Sequence, residues 1–83
     1  MFSPSQIRAA RALIGWSQTD VATAAGLSVP TIKRAEADEG IRVSEDAMLA
    51  IANALRKGGV EFIEENGGGA GVRFRKGPSR SRV

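Results

Sequence analysis

Apolar positions recur every three or four residues through most of the chain and then switch to alternation near its end. Ile7, Ala10, Leu13 and Ile14 form the first stripe, while Arg8 and Ala12 fall away from it, as in a helix buried along one side. Ser3 stands at an N-cap, Pro4 fits the first helical position, and Gln6 completes a capping box. Phe2 and Ile7 occupy the two positions of a hydrophobic staple, and Gly15 ends the helix. The same signals recur at Ser17 and Asp20, with Trp16 and Val21 as the staple, so a second helix is predicted over Gln18–Ala25. Gly26 follows it as the natural left-handed residue. Ser28 opens a third helix with Leu27 and Ile32 flanking the cap. Pro30 is tolerated in that first turn because the backbone donors there lack intrahelical partners. Residues 37–43 carry no period and read as a connection. Ser44 then caps a fourth helix, with Glu45 and Asp46 favourably placed against its dipole. Met48, Ile51, Ala52 and Leu55 are its buried stripe, and Gly58 and Gly59 stop it.

Beyond the fourth helix, Val60, Phe62 and Glu64 alternate with Glu61 and Ile63, and Val72 and Phe74 alternate with Arg73 and Arg75. This predicts two short strands. The glycine-rich segment between them is too long for a two-residue turn and fits a loose loop in an antiparallel hairpin. An isolated hairpin is marginal in water, so Val60, Phe62, Val72 and Phe74 are expected to pack on the helices or on a partner subunit. Residues 76–83 are expected to form a disordered basic tail.

Composition narrows the possibilities. The chain has 83 residues, enough for one compact domain with a modest core. Of its 35 hydrophobic residues 13 are alanine, so the core must come from closely approaching helices rather than from bulky side chains. There is no cysteine for a disulfide or thiolate site and no histidine, the commonest metal ligand and general base. Most routes to an enzyme are closed, and no cofactor or metal is implied. Neither a leader nor an apolar run near the ~18 residues of a membrane span is present, so a cytoplasmic protein with no membrane partner is expected. The net charge of +3 is unevenly spread. Arg73, Arg75, Lys76, Arg80 and Arg82 give the last eleven residues +5, which leaves residues 1–72 at −2. Attraction to DNA must therefore come from local placement and the tail.

On the third helix, Val29, Pro30, Lys33, Arg34 and Ala37 share one side, while Thr31, Ile32 and Ala35 share the other. Ile32 and Ala35 would sit on the second helix, where Ala22 and Ala25 are small enough for a close, steep crossing. At these residues the chain resembles the XRE family of helix-turn-helix regulators, the Cro and phage-repressor type. The resemblance covers roughly residues 5–55. Gln18 stands at the motif's opening glutamine, Val21 and Ala22 at its aliphatic-alanine pair, Ala25 and Gly26 at its turn, and Thr31 and Ile32 at the polar-aliphatic pair of the recognition helix. It implies that Gln18 holds a phosphate, that early residues of the third helix read base edges, and that Arg11 and Glu36 form an ion pair. It also implies a mostly α fold: a compact four- to five-helix Cro/repressor-like bundle, here with a C-terminal two-stranded antiparallel β-hairpin. Residues 1–58 are the helix-turn-helix DNA-binding domain in this reading. Residues 59–75 are the hairpin, an expected dimerisation element, and residues 76–83 the tail. The chain departs from the family after the third helix, where Asp38 and Glu39 precede Gly40 and Arg42 is the one basic residue of the loop.

The DNA-binding candidates are Gln18, Ser28, Val29, Pro30, Thr31, Lys33, Arg34 and Arg42. Arg34 suits a bidentate contact to a guanine edge, and Lys33 reaches a base or a phosphate. Val29 and Pro30 offer apolar contact only, such as a thymine methyl. Ser28 is first a cap and Thr31 a packing residue, each with a hydroxyl for phosphate. Gln18 and the exposed backbone donors of its helix N-terminus point to phosphate together. Arg73 and Arg75 share a strand face, free to pair with Glu61 or to track phosphate. The glycine run at 67–71 lacks the lysine and hydroxyl of a phosphate loop, and the adjacent acidic pairs read as solvated surface. The leading expectation is a sequence-specific transcriptional regulator, not an enzyme, that binds double-stranded DNA as a homodimer on a two-fold-related operator. Two recognition helices ~34 Å apart reach successive major grooves, which one helix cannot. The alternative is a helix-turn-helix-shaped module for a protein partner, antitoxin-like or a co-regulator, favoured by the acidic body.

Overall fold

The computed structural model describes residues 2–37 and 43–75, so Arg42 and the tail at 76–83 lie outside the described residues. Within them the order is α1 (Pro4–Leu13), α2 (Gln18–Ala25), α3 (Val29–Glu36), α4 (Glu45–Lys57), β1 (Val60–Ile63) and β2 (Gly71–Phe74). Each helix starts at a serine whose hydroxyl accepts the backbone N–H three residues on. At α1 and α2 the box is reciprocal: Ser3 N donates to Gln6 Oε1 at 2.8 Å and Ser17 N donates to Asp20 Oδ2 at 2.8 Å.

The first two helices end alike. Trp16 N reaches back to Arg11 O at 3.0 Å around Gly15, and Leu27 N reaches Ala22 O at 2.9 Å around Gly26. These are the long closing bonds of a left-handed helix stop. They require the positive φ of 71° at Gly15 and 72° at Gly26, where a side chain would be strained. Chain direction between α1, α2 and α3 is set at these two glycines.

The core draws on every element except β2. Ile7, Val21, Ile32, Ile51, Leu55 and Val60 are fully buried, from α1, α2, α3, α4, α4 and β1 respectively. Ala22 of α2 and Ala35 of α3 are both buried in the same cluster, at 4% and 3% exposure, as a close crossing of small residues requires. Leu13 and Ile14 sit at the margin of this core, partly buried. No described helix is long and apolar enough to cross a membrane.

The strands pair antiparallel, with Val60 opposite Phe74, Glu61 opposite Arg73, Phe62 opposite Val72 and Ile63 opposite Gly71. They fold back onto their own helices, chiefly α1 and α4. Phe62 and Val72 pack against the core, and Phe62 stacks on Phe2 with ring centroids 5.1 Å apart. Phe74 departs from the expected packing, remaining 52% exposed. Val60 and Phe62, two residues apart, both pack inward, whereas Phe74, opposite the fully buried Val60 in the ladder, stays exposed.

Gln6 locks the hairpin to α1. Its Oε1 caps Ser3 while its Nε2 donates to Ile63 O at 3.1 Å and to Gly71 O at 3.0 Å. Ile63 and Gly71 are the last pair of the ladder, at its loop end. A single buried amide thereby satisfies three backbone groups, one at the start of α1 and one on each strand.

Candidate nucleic-acid interface

α3 divides as its period requires. Ile32, Ala35 and Glu36 are buried, while Pro30, Lys33 and Arg34 are exposed along the opposite side. Val29 is half-buried against the core, so less of it is available to a partner than helical spacing alone suggests. Ser28 Oγ lies 2.9 Å from Thr31 Oγ1, and Arg34 Nη2 approaches Thr31 Oγ1 at 3.4 Å. The Thr31 hydroxyl thus links the Ser28 cap to the guanidinium.

The N-terminus of α2 stands beside the C-terminus of α3. Gln18, the first residue of α2, donates from Nε2 to Glu36 Oε1 at 3.0 Å. The same carboxylate accepts Arg11 Nε at 2.7 Å and Arg11 Nη2 at 3.1 Å, the two parallel bonds of a bidentate pair. Arg11 also donates to Trp16 O at 3.2 Å, and Arg8 donates to the Glu36 carbonyl. Glu36 therefore ties α1, α2 and α3 together at the flank of the exposed face. Asp20, in the first turn of α2, turns its carboxylate back onto Ser17 N.

The structure places Gln18 at the start of α2, Ser28 at the cap of α3 and Val29, Pro30, Thr31, Lys33 and Arg34 within α3. Helix spacing located the exposed set. It did not reveal that Gln18 binds Glu36 or that Arg8 reaches the end of α3, because neither partner lies within one helical turn. Arg73 takes Glu61 across the hairpin, Nε to Oε1 at 3.1 Å and Nη2 to Oε2 at 3.1 Å. This hydrogen bond and the arginine charge hold the Glu61 carboxyl below its ordinary range, and Glu61 holds the guanidinium above its own. Of the two roles open to Arg73 in the sequence, the structure shows the cross-strand pair.

Two capped helices meeting at a left-handed glycine, the second with one buried and one basic exposed side, define a helix-turn-helix protein. The helix-turn-helix family model matches residues 7–62. The chain belongs to that family, the XRE type, whose members are DNA-binding transcription regulators. No curated protein matches the chain.

Proposed function

We propose that the protein is a sequence-specific transcriptional regulator that acts as a homodimer on a two-fold-related operator, with α3 in the major groove. The observation that carries this reading is the outer side of α3, where Pro30, Lys33 and Arg34 are exposed while Ile32 and Ala35 seal the other side. Arg34 reads a guanine edge, and Lys33 contacts a base or a phosphate. Val29 and Pro30 supply apolar contact, and the hydroxyls of Ser28 and Thr31 lie at the phosphate side of the groove. Gln18 and the N-terminus of α2 hold a backbone phosphate. Arg42 supplies a further phosphate contact from the connection after α3. We ascribe no catalysis to this chain.

Readers and positioners differ in what their loss does. The test is selection of duplexes from a random DNA pool by the purified chain, followed by titration of variants on the selected and a scrambled duplex. Arg34→Ala is expected to narrow the preference between the two duplexes by ~1 to 3 kcal/mol, whereas Gln18→Ala weakens both about equally. Identical effects of the two substitutions would remove the base-reading role of α3. A pool that yields no enriched sequence would replace this function with that of a protein-binding module.

A further inference from the structure

Glu36 is the last residue of α3 and is 5% exposed, yet its carboxylate serves both neighbouring helices. Arg11 of α1 reaches it twice, at 2.7 and 3.1 Å, and Gln18 of α2 reaches it once, at 3.0 Å. A carboxylate paired with a guanidinium offers lone pairs and no proton, so the Gln18 amide has to meet it nitrogen first. The two ends of a carboxamide are nearly the same size, so its hydrogen-bond partners decide which way it faces. Here the buried carboxylate selects one.

We propose that Glu36 is a positioning residue for DNA, holding one Nε2 proton of Gln18 so that the second is presented to a backbone phosphate. The inference rests on the reading of Gln18 as a phosphate contact. The two N–H bonds of a carboxamide diverge, so a proton spent on the buried side leaves its twin toward solvent. Gln18 makes no other side-chain hydrogen bond among the described residues. With the amide reversed, Oε1 would meet the phosphate oxygens and repel them. The bidentate guanidinium is equally necessary, because an unneutralised carboxylate at this distance from DNA would oppose the contact it arranges. The Arg11–Glu36 pair thus joins α1 to α3 and also provides a locally neutral acceptor beneath the contact.

Gln18→Ala, Glu36→Gln and the double variant, each first shown by thermal melting to be folded, can be titrated on a duplex selected by the wild-type chain. The same duplex carrying a neutral methylphosphonate at single phosphates identifies the contact. Gln18→Ala is expected to weaken binding roughly tenfold, the loss of one charge-assisted hydrogen bond, and to erase sensitivity to one phosphate. Glu36→Gln can face Gln18 either way round, so it loses most of that factor at the same phosphate, and the double variant is no weaker than Gln18→Ala. If Glu36→Gln does not fold, Glu36→Asp keeps the charge for Arg11 while withdrawing the carboxylate from Gln18 by one methylene, with the same expectation. In the free protein, one of the two Gln18 Nε2 protons should show slowed solvent exchange by nuclear magnetic resonance, and the Glu36 variants should lose it. Multiplicative effects of the two substitutions would overturn the inference alone, whereas binding insensitive to Gln18 would remove the Gln18 phosphate contact together with it and leave the base-reading role of α3 standing. Failure of the wild-type chain to select any duplex would remove the proposed function together with it.

Discussion

Gly58 is confined by its neighbours rather than by its backbone. Its φ of −76° is helical, but a Cβ there would lie 2.9 Å from Ile14 Cδ1 and 2.9 Å from the Trp16 ring. Gly58→Ala is therefore expected to cost about 1 to 3 kcal/mol through forced repacking, read from the denaturant midpoint at unchanged slope. Gly26 is the opposite case, with open space around the site and a φ of 72°, so its substitution costs backbone strain instead. Glu61 makes a different residue-scale statement. Because Arg73 lowers its carboxyl in the folded chain, first by the hydrogen bond and then by charge, the folded value lies below the unfolded one. The stabilisation is then complete above the ordinary glutamate value of ~4.3 and is lost as pH falls through the folded value. Comparison of thermal melts of wild type and Glu61→Gln should show a small deficit at neutral pH that closes under acid conditions. A deficit that persists unchanged in acid would assign the effect to packing rather than to the ion pair.

At the scale of elements, the hairpin depends on a side chain that belongs to a helix. Gln6 was legible as a cap because Ser3 lies three residues before it, but its bonds to Ile63 and Gly71 span 57 and 65 residues. Gln6→Ala would strip the cap and leave both strand carbonyls without this donor, an expected loss of about 1 to 3 kcal/mol. Hydrogen exchange discriminates the two roles. Loss of protection concentrated at β1 and β2 marks the anchor, while loss confined to the first turn of α1 marks only the cap. The same contrast runs through α2 and α3. The α2 boundaries and the start of α3 follow from serine caps and a glycine stop, all interactions within a few residues, and the structure reproduces them as Gln18–Ala25 and Val29; α3 ends at Glu36, with Ala37 in an extended conformation rather than on the helical face.

For the whole molecule, the proposed operator demands two copies, because one recognition helix covers too little DNA for biological specificity. The hairpin remains the preferred interface, supported by its two outer strand edges, which a two-stranded sheet leaves for further pairing. The alternative is α4, where Leu49 is 50% exposed. Light scattering across a concentration series is expected to give a particle of twice the chain mass, free and on DNA. A monomer under both conditions would rule the dimer out. The alternation of Val60, Phe62, Val72 and Phe74 announced a hairpin, but it did not separate the buried Val60 from the exposed Phe74 opposite it. Likewise Arg73 had two possible partners in the sequence, and only the strand register placed Glu61 directly opposite. By itself, the sequence determined the helix boundaries, the two turns, the exposed side of α3 and the family, because caps, periodicity and glycine conformations act over one or two turns. Tertiary structure decided what Gln6 and Gln18 do with their amides and which charge Arg73 meets, whereas the Arg11–Glu36 pair that it shows was already implied by the family resemblance. An amide or a guanidinium has several acceptable partners, and the choice among them is made only when packing brings one carbonyl or carboxylate within about 3 Å.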